Sequence, residues 1–90
     1  MAVNPRPEPG ELVEMAEEEL AAACALPFAE IVKITPWGDS FVGFAPSGRE
    51  VEVERRYLWA EAPQGPVVVE VEVRDLAGRT GAEARRTLTR

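Results

Sequence analysis

Ninety residues with 46% hydrophobic and 29% charged side chains can build one modest core but not two, and this balance excludes a disordered chain. The net charge is −6 with no histidine and a single cysteine, Cys24, which removes the commonest general base and neutral metal ligand and forbids an internal disulfide. No apolar run approaches the roughly 20 residues that cross a bilayer. Pro5, Pro7 and Pro9 stand where a basic-then-apolar leader would be, so a cytoplasmic protein with no membrane partner is expected.

Charge is unevenly placed. Residues 1–23 carry six glutamates against Arg6, whereas 78–90 carry Arg79, Arg85, Arg86 and Arg90 against Glu83. The segments that read as strands present mostly glutamate, and a nucleic-acid partner is not expected, because such binding needs a basic face that displaces counterions from phosphates.

In chain order, 1–9 is a proline-rich, extended lead-in. From 10 to 25 strong helix formers take over, with Leu12, Ala16, Leu20 and Ala23 recurring on one face, so an amphipathic helix is expected, ended by Pro27. Glu11 and Glu14 suit the positive end of its dipole, and Glu17, Glu18 and Glu19 read as a solvated face. Residues 28–34, with Ile31, Val32 and Ile34, read as a first strand, followed by a turn cluster from Thr35 to Asp39. A short strand at 41–45 stops at Pro46-Ser47-Gly48. Val51 and Val53 then alternate with Glu50, Glu52 and Glu54, the pattern of a strand with one wet face, extending toward Tyr57, Leu58 and Trp59. After a break at 62–66, residues 67–73 alternate valines with Glu70 and Glu72. The alternation places Val51, Val53, Val69 and Val71 in one core. Thr80-Gly81-Ala82-Glu83 reads as a capping box opening a C-terminal helix, with Arg85, Arg86 and Arg90 toward its negative end.

Short strands with tight turns point to a mainly β (α+β) fold, specifically a small OB-like or SH3-like β-barrel with an N-terminal amphipathic helix and a C-terminal helix, since closure removes exposed sheet edges. Two parts are expected: an N-terminal extension at 1–23 with the acidic helix, and the barrel with its terminal helix at 24–90.

Chemistry-bearing residues are few. Ser40 and Ser47 have no histidine partner, which excludes a serine-hydrolase arrangement. The glutamates follow strand alternation, and Gly38, Gly43 and Gly48 lack phosphate-loop spacing and suit turns or bulges. No enzyme activity is expected. Trp37 in its turn cluster either folds back over the barrel end or is held out for a partner, with the first favoured, and Trp59 reads as core or rim. Cys24 reads by itself as a small packed hydrophobe at the end of a helix unsuited to a thiolate.

Taken in order, Cys24-Ala25-Leu26-Pro27, Glu30-Ile31-Val32-Lys33-Ile34, Phe41-Val42-Gly43-Phe44, Gly48-Arg49-Glu50-Val51-Glu52-Val53, Gly65-Pro66-Val67-Val68-Val69 and Gly81-Ala82-Glu83-Ala84-Arg85-Arg86-Thr87-Leu88 resemble the HypC/HupF family of hydrogenase maturation chaperones. With 23 residues before Cys24 and no histidine, the likeness is to a divergent member. It implies an OB-like barrel and a non-enzymatic assembly chaperone that binds the large subunit of a nickel-iron hydrogenase-like metalloenzyme, its precursor, or a maturation scaffold. It further implies that Cys24 handles transient iron, a metal suited to a soft thiolate, with no cofactor of the chain's own. Leu12, Ala16 and Leu20 on the helix, together with Cys24, Pro27 and Trp37, are the candidate partner-binding residues. The alternative is an OB or SH3-like interaction module, or a small accessory subunit of another complex, with no metal role.

Overall fold

A helix opens the fold because residues 9–24 supply what one requires: proline at the start, alanine, leucine, methionine and glutamate throughout, and an apolar residue every three or four positions. The computed structural model describes residues 9–76 and 80–90, and places there α1 (Pro9–Cys24), α2 (Phe28–Lys33), β1 (Trp37–Phe44), β2 (Glu50–Trp59), β3 (Val67–Asp75) and β4 (Gly81–Leu88). Apart from Pro9, which begins α1, the expected lead-in lies outside the described residues. No helix among the described residues is long and apolar enough to cross a membrane.

The four strands form one antiparallel meander in the order β1-β2-β3-β4. Phe44 stands opposite Glu50, Val53 opposite Val73, and Val71 opposite Ala84. Among the described residues β1 and β4 occupy the two ends of this ladder and do not pair with each other. The fold is thus mainly β, of the α+β kind, with the helices against one sheet face. The turn from β1 to β2 is closed by Gly48 N–H donating to the Ala45 carbonyl at 2.8 Å. Gly48 takes φ +93° there, a conformation that a Cβ would strain.

Packing follows the two-residue period. Val51, Val53 and Tyr57 of β2, Val67, Val69, Val71 and Val73 of β3, and Ala84 of β4 are buried in one cluster with Leu12, Ala16, Leu20 and Ala23 of α1 and Ile31 of α2. The expected inward set Val51, Val53, Val69 and Val71 lies in that single core. Because α1 rests on β3 and β4, the helix and the strands share one hydrophobic interior.

Two elements correct the sequence reading. Residues 28–34 are not a strand: Pro27 serves as N-cap of a short helix in which Glu30 and Lys33 pair at 3.2 Å, and Ile31 alone is buried. The C-terminal helix is absent as well. Residues 81–88 form β4, so Thr80 and Glu83 make no capping box, and Arg85 and Arg86 lie along a strand rather than at a helix end.

Candidate protein-binding surface

The register assigns every strand residue to a face. One face carries the buried valines and the helices. On the other, the ladder lines up Glu50, Glu52, Glu54 and Arg56 of β2, Glu70, Glu72 and Arg74 of β3, and Glu83 and Arg85 of β4. This outer face is a lattice of ion pairs. Arg56 reaches Glu54 and Glu70, both at 3.1 Å, Arg74 pairs with Glu52 and sits 3.7 Å from both Glu54 and Glu72, and Arg85 lies 3.9 Å from Glu70. Each such pair contributes a fraction of a kcal/mol in water, but together they hold long side chains in a flat array. Glutamate outnumbers arginine across the array, which gives the face a negative potential.

Its margin along β1 differs in character. Val42 is 57% exposed and Phe44 66%, and Gly38 and Ser40 between them carry almost no side chain. Pro36, Trp37, Gly38, Ser40, Glu54, Arg56 and Leu58 line an open groove of about 470 Å³ at this corner. Gly38 is dictated by close approach, because a Cβ there would sit 2.8 Å from the Arg55 carbonyl oxygen.

On the helix-bearing face, beyond the part that α1 covers, Arg55 is held between carboxylates. It donates through Nε to Asp39 at 2.8 Å and through a second guanidinium nitrogen to the other Asp39 oxygen, lies 3.5 Å from Glu19, and stacks over the Phe41 ring at 5.3 Å. Its hydrogen bonds hold the Asp39 carboxyl below the usual carboxylate range. A lowered native pKa makes this pairing stabilising above the unfolded value of about 3.9 and lost as pH falls through the native one. Because the pair is partly exposed, Asp39→Asn should cost up to about 1 kcal/mol at neutral pH. Urea titrations should show that difference shrinking below about pH 4; a difference that persists undiminished at pH 2 to 3 rules the linkage out.

The residues singled out in the sequence are dispersed. Leu12, Ala16 and Leu20 are buried against the sheet, so the apolar face of α1 is occupied within the chain itself. Pro27 is exposed at the start of α2. Trp37, the first residue of β1, is 51% exposed, held out rather than folded back. Trp59 packs partly buried on the core. Cys24 sits half-buried at the end of α1. Burial raises its thiol pKa, and the Arg86 guanidinium, which hydrogen-bonds it from the helix-facing side of β4, offsets only part of that rise. The exposed β1 residues Val42 and Phe44 are not among the partner-binding candidates read from the sequence, although two large apolar residues on the wet side of a strand flanked by glycine were a readable signal.

Comparison with protein-family models, with curated proteins and with solved structures found no match for this chain. Cys24 is the chain's one cysteine, and the described residues contain no group of three or more cysteine, aspartate or glutamate side chains able to hold a metal ion.

Proposed function

We propose that the chain is a non-catalytic protein-binding factor whose working surface is the outer face of the sheet. The observation that carries this reading is the one-sided packing: α1 spends its apolar residues on β3 and β4, while the opposite face keeps an ordered array of glutamates and arginines bordered by Val42, Phe44 and Leu58. A flat charged array with an apolar border suits the polar rim and apolar anchors of a protein interface, and its negative potential favours a basic patch on the partner. We read the sheet as open rather than as a closed OB-like barrel, since β1 and β4 stand at opposite ends of the ladder.

The partner class is drawn from the ordered resemblance beginning at Cys24: the precursor of a nickel-iron hydrogenase-like large subunit, chaperoned without iron being carried. The position of Cys24 beside Arg86, away from the outer face, supports separating protein binding from metal handling. Co-expression with such a precursor, followed by affinity purification and metal analysis, tests it. Glu52→Lys together with Glu54→Lys should weaken capture by at least about tenfold, whereas Cys24→Ser should capture as well as the unmodified chain, with iron in neither sample. Iron that accompanies the unmodified chain and vanishes in Cys24→Ser would restore the carrier role. Failure of the unmodified chain to capture the precursor ends the hydrogenase assignment.

A further inference from the structure

The backbone of β1 has a second side, and the hydrogen bonds at the β1–β2 turn show which residues face it. Ala45 N–H donates to the Arg49 carbonyl at 2.9 Å, and these two residues stand opposite each other in the register that sets Phe44 against Glu50. Directly bonded pairs alternate along an antiparallel ladder. The odd-numbered residues of β1 therefore bond to β2, and Gly38, Ser40, Val42 and Phe44 turn their N–H and C=O groups to the outer edge. Among the described residues no strand takes them up. The same reasoning at the other end, where Asp75 N–H donates to the Thr80 carbonyl at 3.0 Å, directs Gly81, Glu83, Arg85 and Thr87 outward from β4. There the charged side chains of Glu83 and Arg85 discourage pairing, in the way edges are normally blunted. The β1 edge has no such protection: it is eight residues long, contains neither lysine nor proline, and runs in unbroken register.

We propose that this edge pairs with the β1 of a second copy, antiparallel across a two-fold axis, joining two four-stranded sheets into one of eight strands. Charge selects this occupant. A chain of net charge −6 repels its copy over most of its surface, but the one charged residue of β1, Asp39, is neutralised internally by Arg55. Self-complementarity selects the register. Centred on Phe41, all four outward-facing residues are used, with Gly38 opposite Phe44 and Ser40 opposite Val42. The Phe44 ring then lies over a glycine, and Val42 beside a small residue. On the other face Asp39 meets Gly43 and Phe41 meets its own copy, so no like charges oppose and two aromatic rings adjoin at the axis. The isologous contact closes on itself and stops at two chains.

Light scattering on the full chain over a concentration series tests this. The unmodified protein should show twice the 9.8 kDa chain mass. Val42→Pro leaves the β1–β2 bonds intact, because the Val42 N–H points outward, and should be monomeric at concentrations where the unmodified chain is fully dimeric. Val42→Lys should behave in the same way should proline disturb the strand, both variants keeping the native circular dichroism, while Thr87→Lys on β4 should remain dimeric. The register is read separately. In a Cys24→Ser background, Phe41→Cys should form an inter-chain disulfide with dissolved oxygen as oxidant, because facing non-bonded residues bring Cα atoms within about 4.5 Å. A chain that stays monomeric up to millimolar concentration overturns the proposal, including one that instead accepts a strand of another protein at β1. Dimers that survive both Val42 substitutions overturn the interface, and absence of the disulfide overturns the register.

Discussion

Deleting residues 1–23 will leave a chain that does not fold. Without α1, Val69 and Val71 of β3 and Ala84 of β4, all buried in the native core, face water along with their neighbours, and the sheet keeps only the short α2, through Ile31, on its apolar side. Each of the four buried β3 valines loses up to about 1.5 kcal/mol of burial, a loss comparable to the whole stability of roughly 5 to 15 kcal/mol that a domain has. The truncated chain should lack the strand signal in far-ultraviolet circular dichroism and the dispersed amide resonances of a folded sheet. A folded, dispersed spectrum from residues 24–90 would mean that the helix is an appendage and that the shared core described above is wrong.

Leu20→Ala should be the most damaging of single truncations on α1. Leu20 is 2% exposed and lies in the central cluster with the β3 valines, so its loss removes burial and leaves a cavity that rigid neighbouring strands cannot fill. The expected cost is about 2 to 5 kcal/mol, a fall in midpoint of roughly 10 °C or more at this chain length. By contrast, Val13→Ala, on the exposed side of the same helix, should change stability by less than about 0.5 kcal/mol. Thermal melts of the two variants side by side check the assignment of faces, and equal losses would contradict it.

These contrasts mark where the sequence was legible. α1, β2 and β3 could be read because each combines a clear period with matching propensity: leucine and alanine at helical spacing, then valine alternating with glutamate. β4 could not be read from propensity. Gly81 to Leu88 is rich in alanine, arginine and glutamate, which favour helix, yet the segment is a strand because β3 offers it a row of backbone partners and α1 lies directly above. The first two inward positions of β4 are the small Ala82 and Ala84, an alternation of small apolar with charged residues that is easily missed beside valine. In 28–33 the opposite occurred: β-branched Ile31 and Val32 suggested a strand, but Pro27 before the segment and the three-residue spacing of Glu30 and Lys33 were helix signals. The candidate surface was half legible. Alternation announced the glutamate face, and Val42 and Phe44 share it by register with Glu52 and Glu50, while the exposure of Trp37, on the helix-bearing side opposite Tyr57, depends on how the layers assemble.

A row of near-identical valines gives a helix lying on it little reason to prefer one position along the row to the next. Two glutamates of α1 supply that reason. Glu11 accepts from Ser47 through its backbone N–H at 2.7 Å and its hydroxyl at 3.1 Å, and Glu19 meets Arg55 at 3.5 Å. They lie eight residues apart, about 12 Å along the axis, and engage different parts of the β1–β2 hairpin. A slide of one turn, about 5.4 Å, would break both contacts while leaving leucine on valine. The hydrophobic layer thus supplies adhesion, and the two carboxylates act as index marks that give the helix a single seating on the sheet.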